Sequence, residues 1–255
     1  MRLIVRKGWE KKLSLAAFPK ADIDIVETAD LFTEDEQWWS QRFDDVDTII
    51  HSAWYVEPGK YLTSDKNLDC LKGTLVMAKA AFSQSVKRFV GIGTCIEYKM
   101  SEATLETHSP FEPTTIYSAA KLSLYQTLAQ LFKDSPVSFL WCRLFYLYGE
   151  GDDPRRFISF LHQKMQKGEA ADLTSGMQIR DYMDVADAGK RIVDLTFSEI
   201  ENGANICTGE GRTIREIAEG IADQYGRRDL LNFGARADNL VDPARVVGKP
   251  TLPKA

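Results

Sequence analysis

The sequence predicts an α/β fold built on a mostly parallel sheet with helices on both faces. Short β-branched or apolar runs alternate along the chain with longer stretches of helical periodicity. Strands that alternate with helices indicate crossover connections, and these produce parallel sheets. The chain has 255 residues, of which 44% are hydrophobic, so it can form a large core. Ligands of such doubly wound sheets bind beyond the carboxyl ends of the strands.

The predicted elements follow in chain order. The strands are Arg2–Val5, Ile23–Val26, Thr48–His51, Arg88–Ile92, Val137–Phe145 and Ala204–Cys207. The helices are Thr33–Phe43, Tyr61–Ser83, Tyr117–Lys133, Arg155–Lys167, Val185–Phe197 and Ile214–Tyr225. Two of the helices begin with a predicted capping box, Thr33 with Glu36 and Thr213 with Glu216.

The pattern changes near residue 150. Residues 1–150 carry the regular alternation of an α/β core, whereas residues 151–255 have short strands, glycine-containing turns and further helices. We therefore expect a smaller C-terminal lobe packed closely on the core. The cleft between two such lobes is a common ligand site.

Composition and charge exclude several classes of protein. The net charge of -5 leaves no basic stripe for nucleic acid. The most apolar stretch, residues 137–148, contains Arg143 and is too short to span a bilayer. The four cysteines are scattered, which favours reduced thiols and a cytoplasmic protein. The three histidines have no paired spacing, so we expect no metal site.

The first chemical signal is Tyr117-Ser-Ala-Ala-Lys121 at the start of a predicted helix. Residues four apart lie on one face of a helix. A nearby ammonium favours the phenolate, so Lys121 is expected to lower the pKa of Tyr117 and suit it to general acid–base chemistry. A chance pair of ordinary helical neighbours explains the same spacing.

Two strand ends upstream add context to this pair. The strand from Arg88 ends in small and hydroxyl residues at Thr94, and the strand from Thr48 is followed by the small residues Ser52 and Ala53. In a parallel sheet these ends face the ligand. For Thr94, a strand-end hydroxyl bonded only to backbone is the open alternative.

Several motifs in this order resemble the extended short-chain dehydrogenase/reductase family, in its NAD(P)-dependent nucleotide-sugar epimerase, dehydratase and reductase branch. The segments are HSAW (51–54), CLKGT (70–74), GTCIEY (93–98), YSAAK (117–121), CRLFYLYGEGDD (142–153), QIRDYMDVAD (178–187) and NICTGEGRTIREIA (205–218). The resemblance implies a Rossmann-like fold and an enzyme that transfers a hydride on a nucleotide-linked sugar. Within the branch it is closest to enzymes of NDP-4-keto-6-deoxyhexoses.

The resemblance implies the catalytic roles. Tyr117 would be the general acid/base at the sugar oxygen, and Lys121 would lower its pKa and hold the nicotinamide ribose. Thr94 would hydrogen-bond the reacting oxygen.

Binding residues follow in the same way. Ser52 and Ala53 would let the cofactor approach, while Asp30 and Leu31 resemble the pair beside the adenine, where an ordinary loop acid is the alternative. Arg6 would suit the 2′-phosphate of NADP and so favours NADP over NAD. A solvated basic turn explains Arg6 equally well.

The substrate side involves Trp54, Cys95 and Arg180. The guanidinium of Arg180 would bind the substrate pyrophosphate, and the alternative is an ion pair with Asp181 or Asp184. Trp54 would line the sugar pocket, although large aromatic residues more often only pack.

Arg143 lies in an apolar strand, where an unpaired charge is costly. It is either structural, bonded to loop carboxylates, or near the ligand, and we prefer the structural interpretation.

The sequence departs from the family pattern in two places. No Gly-x-x-Gly-x-x-Gly or Gly-x-Gly-x-x-Gly turn occurs to cradle the cofactor pyrophosphate. One strand–turn–helix unit of about 25–30 residues is therefore missing from the pattern, and a gap or unpaired edge in the sheet is expected. On the helix after the strand from Thr48, Cys70 stands in the place of the family's asparagine. Asn67 is one turn earlier, and we interpret it as a solvated or capping amide.

Three explanations of the missing unit stay open: a fragment of a longer enzyme, a degenerate paralogue, or a unit supplied by another chain. The alternative function is accordingly a non-catalytic protein that binds a nucleotide sugar or dinucleotide. The resemblance also implies a homodimer formed through the helices predicted at Tyr61–Ser83 and Tyr117–Lys133.

Overall fold

The predicted alternation of strands and helices is present in the computed structural model, which describes residues 1–8, 23–84, 86–239 and 241–253. The strands are β1 Arg2–Arg6, β2 Asp24–Thr28, β3 Thr48–His51, β4 Arg88–Thr94, β5 Ser138–Leu144, β6 Tyr146–Tyr148, β7 Ala171–Leu173, β8 Ile179–Arg180, β9 Tyr182–Asp184, β10 Asn202–Ile206, β11 Arg212–Thr213, β12 Leu231–Phe233 and β13 Arg245–Val246. The α-helices are α1 Glu36–Arg42, α2 Lys66–Phe82, α3 Ile116–Phe132, α4 Phe157–Lys167, α5 Val185–Thr196 and α6 Ile214–Gln224. The chain therefore has the predicted α/β Rossmann-like fold.

The central sheet has four parallel strands in the order β10-β5-β4-β3. Helices cover both of its faces, as predicted. On one face Met77 of α2 and Leu128 of α3 pack with Phe89 and Phe139 of the sheet. On the other face, Leu195 of α5 joins the sheet residues of a second buried cluster, which are Val90, Ile92, Leu140, Cys142, Ala204 and Ile206.

The expected break in the sheet lies beside β3. Strands β1 and β2 pair in parallel as a separate two-stranded sheet, and no ladder among the described residues joins β1 to β3. A slot of about 210 Å³ separates them, lined by Arg2, Leu3 and Ile4 on one side and by residues 48–53 on the other. Within the described ranges, the edge of β3 that faces β1 therefore has no ladder partner, as the sequence predicts.

The second half of the chain forms its own core and also contributes to the central sheet. Ile158 and Leu161 of α4 pack with Ile217 and Ile221 of α6 in a separate buried cluster. Strand β10, however, pairs with β5 and completes the central sheet. The two halves are therefore interlocked through the central sheet.

One predicted capping box is present and the other is wrong. At α6 the Thr213 side chain accepts from Glu216 N at 3.0 Å, and Glu216 Oε2 accepts from Thr213 N at 2.7 Å. Helix α1 instead begins after Asp35, whose Oδ1 accepts from Trp38 N at 2.7 Å. Aspartate competes well with threonine for this position, and residues 31–33 form a separate 3₁₀ turn.

Other predicted boundaries also differ, and the largest difference is at the start of helix α2. Helix α2 begins at Lys66 rather than Tyr61, because residues 57–64 turn back on themselves, with Tyr61 N donating to Glu57 O at 3.1 Å. The predicted strand Val137–Phe145 ends at Leu144, and β6 follows it.

Among the described helices, none is both long and apolar enough to cross a membrane. The histidine, cysteine, aspartate and glutamate side chains of the described ranges form no group suited to a metal ion. The four cysteines are free thiols and are buried.

Candidate active site

The candidate site lies where β4 ends and α3 begins. Thr115 caps α3 with its side-chain oxygen on Ser118 N at 3.1 Å, so Tyr117 and Lys121 fall on its first turns. Both side chains are buried, and Lys121 Nζ donates to the carbonyl of Ile92 in β4 at 2.6 Å. The pair that the sequence places on one helix face therefore lies against the end of the central sheet.

Tyr117 lies in an aromatic environment. The ring of Tyr61 meets it edge-on with centroids 4.9 Å apart, and the indole of Trp54 does so at 6.5 Å. Burial raises the pKa of Tyr117 above its ordinary value, and a contact with the Thr94 side chain opposes that rise. The sequence-based prediction that the pKa of Tyr117 is lowered is therefore wrong, because the loss of water around the phenol has a larger effect than the contact with Thr94.

Lys121 is a buried cation with few polar partners. Its Nζ lies 3.8 Å from the centroid of the Trp54 ring and 5.8 Å from that of Trp141. Burial lowers the pKa of Lys121 to about 7, while the charge of Glu97 acts in the opposite direction. Near neutral pH this amine is therefore close to its titration midpoint, which suits a group that exchanges protons.

We expect Lys121→Met to be more stable than the wild type at pH 7, by about 1–3 kcal/mol, because it removes a charge that burial disfavours. The unfolded chain keeps the lysine proton up to its ordinary pKa of 10.5, whereas the folded chain releases it above about 7. Within this window the unfolded state binds more protons, so wild-type stability rises with pH. Urea unfolding of both proteins should show the gap narrowing between neutral and alkaline pH. A constant or widening gap would contradict the prediction.

Thr94 ends β4 and starts a 3₁₀ turn, Cys95–Glu97. Its hydroxyl accepts from Ile96 N at 3.5 Å, and its own backbone N donates to Glu97 Oε1 at 2.9 Å. The Thr94 hydroxyl is therefore bonded to backbone, which was the alternative to a role in catalysis, but this hydrogen bond is long. The hydroxyl keeps capacity for a second partner near Tyr117.

The Trp54 ring covers the Lys121 ammonium, and a hydrogen bond to Asn67 holds the indole in place. Its Nε1 donates to Asn67 Oδ1 at 2.8 Å, and the Asn67 amide donates to the carbonyls of Tyr61 and Ser64 at 2.6 and 2.8 Å. Asn67 is fully buried. Of the two predicted alternatives, the solvated amide is therefore wrong, because Asn67 is buried; its side chain instead bonds to backbone just before α2 and ties that helix to the loop after β3.

The predicted cofactor residues divide into two groups. Leu31, Ser52 and Ala53 line the slot beside β3 together. Asp30 and Arg6 do not line it: the Asp30 carboxylate accepts from Phe32 N at 3.0 Å, and Arg6 is the exposed last residue of β1. Lys121 lies outside the slot as well, on α3.

The predicted substrate residues Cys95 and Arg180 are both buried, and Tyr146 both packs against the buried cluster that contains Cys95 and lies beside the Arg180 guanidinium. Arg180 Nη2 lies 2.7 Å from Asp242 Oδ2, and the guanidinium lies 5.4 Å from the centroid of Tyr146. The ion pair considered from the sequence, with Asp181 or Asp184, is replaced by this one.

Glu97 is the functional candidate that sequence reasoning missed. It is fully buried, with Arg143 Nε 2.7 Å from its Oε2. The structural interpretation of Arg143 is confirmed by this ion pair. The sequence does contain a signal for Glu97: it is a charged residue next to an apolar segment, as Arg143 is. An acid and a base near the ends of neighbouring buried strands are expected to form an ion pair, because an unpaired buried charge is costly.

These residues fit a bound dinucleotide in part. Tyr117, Lys121 and Thr94 form a buried polar group suited to the reactive end of such a cofactor. The slot lined by Leu31, Ser52 and Ala53 is smaller than the roughly 300–1,000 Å³ of typical ligand pockets. The sequence holds no glycine-rich turn for the pyrophosphate.

Solved structures share this fold across almost the whole chain. The UDP-N-acetylglucosamine 4-epimerase of Methanobrevibacter ruminantium is 19% identical with a TM-score of 0.80, covering 90% of this chain and 74% of that one. The UDP-glucose 4-epimerase of Thermus thermophilus, solved with NAD, is 22% identical with a TM-score of 0.77, covering 98% and 91%.

Curated relatives match over shorter stretches. The CDP-abequose synthase of Salmonella muenchen is 28% identical over 125 residues, which are 48% of this chain and 43% of that protein. The dTDP-6-deoxy-L-talose 4-dehydrogenase (NAD(+)) of Aggregatibacter actinomycetemcomitans is 22% identical over 196 residues, 74% of this chain and 70% of that one. The match thus spans less than half the length of the first of these relatives.

The model of the NAD dependent epimerase/dehydratase family matches residues 9–204, well over half of the chain. This span includes β3, β4, α3 and β5, and therefore Tyr117, Lys121 and Thr94. The chain belongs to the NAD-dependent epimerase/dehydratase family.

Proposed function

We propose that this protein is an NAD-dependent oxidoreductase or epimerase that transfers a hydride to or from a nucleotide-linked sugar. The observation that carries the proposal is the buried pair Tyr117 and Lys121 on one face of α3, beside Thr94 at the end of β4. Family membership supports the same chemistry.

Tyr117 is the general acid/base in this proposal. Its hydroxyl gives a proton to the sugar oxygen when a carbonyl is reduced and takes one when an alcohol is oxidised. The Thr94 hydroxyl donates to the same oxygen and stabilises its developing charge. In its protonated form, Lys121 stabilises the phenolate that Tyr117 becomes. NAD, when bound, supplies or accepts the hydride.

We propose NAD as the cofactor, held by Leu31, Ser52, Ala53 and Lys121. Two of the similar solved structures hold NAD, and one curated relative is an NAD(+) dehydrogenase, which supports this choice. The preference for NADP drawn from Arg6 finds no support in these relatives. For a ribose to reach Lys121, the indole of Trp54 must leave the ammonium that it covers at 3.8 Å.

We propose that the lobe of residues 151–255 binds the nucleotide sugar with Arg180, and that Cys95 and Trp54 line the sugar side. A phosphate would take the place of Asp242 on the Arg180 guanidinium, whose planar fork suits phosphate oxygens. The relatives named for abequose and 6-deoxy-talose favour a 4-keto-6-deoxyhexose as the sugar.

Turnover by the purified wild type tests the proposal. NADH and NADPH are offered separately with dTDP- and CDP-linked 4-keto-6-deoxyglucose, and the loss of reduced-nicotinamide absorbance is followed; UDP-glucose tests epimerisation. We expect NADH consumption with a keto sugar. Calorimetry with NADH and, separately, with the nucleotide sugar identifies the alternative, because binding of either ligand without turnover indicates a non-catalytic binding protein.

We further propose a cytoplasmic homodimer formed through α2 and α3. Leu68 and Phe82 on the outer side of α2 are exposed, by 54% and 44%, which supports a partner on that face. Light scattering coupled to size exclusion measures the mass in solution.

A further inference from the structure

Glu97 is a buried carboxylate surrounded by donors. Oε1 accepts from Thr94 N at 2.9 Å and from Trp141 Nε1 at 3.1 Å, while Oε2 accepts from Arg143 Nε at 2.7 Å. Each of these partners is an N–H group, so each requires an acceptor. A protonated carboxyl would aim its own O–H at a donor, so this arrangement suits the ionised form.

The ion pair of Glu97 with Arg143 is expensive to maintain. Both side chains have no exposed surface, and Arg143 Nη2 has no hydrogen-bond partner. Desolvation of two charges often cancels their attraction, so apolar residues of similar volume could replace such a pair without loss of stability. Because the ion pair adds little to stability, we examine the contacts of Glu97 with its neighbours at the site.

The first neighbour of Glu97 is the turn that carries Thr94. Glu97 holds Thr94 N within the capping box of the 3₁₀ turn, and the Thr94 side chain in turn contacts the Tyr117 phenol. Gly93 leaves the space for this arrangement, since a Cβ there would lie 2.6 Å from Glu97 Oε1. The carboxylate therefore fixes the position of the Thr94 hydroxyl relative to Tyr117.

The second neighbour is Lys121. The indole of Trp141 links the two groups: its Nε1 donates to Glu97, and its ring lies 5.8 Å from Lys121 Nζ. The other titratable groups that face Lys121 are His51 from β3, Cys70 from α2 and Tyr117 from its own helix. Burial lowers the pKa of His51 to about 3 and raises that of Cys70, so both are uncharged near neutral pH. Glu97 is the acidic group whose negative charge favours protonated Lys121. Burial raises the pKa of Glu97 itself, and Arg143, 2.7 Å away, together with the N–H donors around the carboxylate opposes that rise and favours the ionised form.

We propose that Glu97 is a positioning residue, which fixes the Thr94 turn beside Tyr117 and supplies the negative charge that keeps Lys121 an ammonium ion. This inference rests on the proposed function of the same site. It adds a third ionisable group, from the turn after β4, to the tyrosine–lysine pair of α3.

The test measures Lys121 directly and needs no substrate. The protein is labelled with ¹³C at the lysine Cε, and its NMR signals are titrated from about pH 5 to about pH 10, with Lys121 assigned by comparison with Lys121→Arg. We expect the midpoint of Lys121 to fall by about one pH unit in Glu97→Gln, because a nearby opposite charge is removed. Glu97→Asp, which keeps the charge, is expected to restore most of the midpoint.

Two matched variants separate charge from packing. Tyr98→Phe perturbs the same buried network, since it removes the hydroxyl that donates to Asn205 Oδ1 at 2.7 Å, but it removes no charge. Glu112→Gln removes a carboxylate from an exposed ion pair with Lys99. Both are expected to keep the wild-type midpoint of Lys121.

If Glu97→Gln does not fold, Glu97→Gln combined with Arg143→Gln replaces it, since this variant leaves neither member of the ion pair as a lone buried charge. A folded variant of either kind in which Lys121 titrates as in the wild type would overturn the proposal. A shift of equal size in Tyr98→Phe would also overturn it, because packing would then explain the effect. Absence of turnover in wild-type assays instead counts against the proposed function, so the two failures are distinguishable. Where turnover is present, the alkaline limb of its pH profile should move with the Lys121 midpoint.

Discussion

Tyr117→Phe is expected to reduce turnover of the nucleotide sugar by about 10²–10⁴-fold, the usual contribution of a positioned acid–base group. The substitution removes one hydroxyl from a ring that is 8% exposed and packed edge-on against Tyr61. Because the ring remains, the packing of α3 on the sheet should be kept. The loss should therefore appear in kcat, with thermal unfolding and NADH affinity close to those of the wild type.

Steady-state kinetics with the keto sugar and NADH measure the effect, and calorimetry measures NADH binding. Tyr125→Phe is the matched control, because it removes a hydroxyl from the same helix two turns away, where the ring faces Arg143. We expect its turnover to be near that of the wild type. If Tyr117→Phe retained most of the wild-type rate, another group would have to be the proton donor.

The fold was predictable where a local pattern decides the structure. The parallel sheet of β3, β4 and β5 and the helices α2 and α3 follow from apolar periodicity, and the capping box at Thr213 follows from a local pair of side chains. The start of α1 was not predictable in this way. Asp35 and Thr33 compete for the same helix end, and the separate 3₁₀ turn capped by Asp30 decides between them.

The candidate site was predictable only in part, since its chemistry depends on burial. The sequence places Tyr117 and Lys121 on one helix face, but it does not show that Trp54 covers the ammonium. Both pKa changes at the pair follow from loss of water, which raises that of Tyr117 and lowers that of Lys121. Burial of this kind arises from contacts between distant segments, as in the bond from Trp54 to Asn67.

The ion pair of Glu97 and Arg143 shows the same limit. The structural role of Arg143 was predictable from its position in an apolar strand. Its partner Glu97 lies 46 positions earlier, in the segment after β4 where the sequence pattern points only to the hydroxyl of Thr94. A pair of opposite charges in separate buried segments becomes visible once the sheet brings their strands together, as β4 and β5 do here.

Arg143→Leu is expected to lower the free energy of unfolding by about 3–5 kcal/mol, the usual cost of leaving one member of a buried pair without its partner. Glu97 would keep its desolvation penalty and lose the charge at 2.7 Å. The rings around the guanidinium, Tyr125 at 4.3 Å and Phe111 at 4.8 Å, would lose a cation–π partner as well. Urea unfolding at neutral pH measures the loss.

The size of this loss should depend on pH in a defined direction. Burial raises the pKa of Glu97 above 4.5, and Arg143 opposes that rise in the wild type. In Arg143→Leu the opposition is gone, so the folded state holds a proton that the unfolded state releases. Stability then falls as pH rises above 4.5, and the deficit against the wild type should shrink as pH is lowered toward that value.

Two further variants decide whether the unpaired charge is the cause. Combining Arg143→Leu with Glu97→Gln should recover at least about 1 kcal/mol, because the Glu97 carboxylate is no longer buried without its partner. Arg155→Leu breaks the exposed pair with Asp153 at 2.7 Å and should leave stability near that of the wild type. If the double variant were no more stable than Arg143→Leu, lost packing around the guanidinium, rather than the isolated carboxylate, would account for the destabilisation.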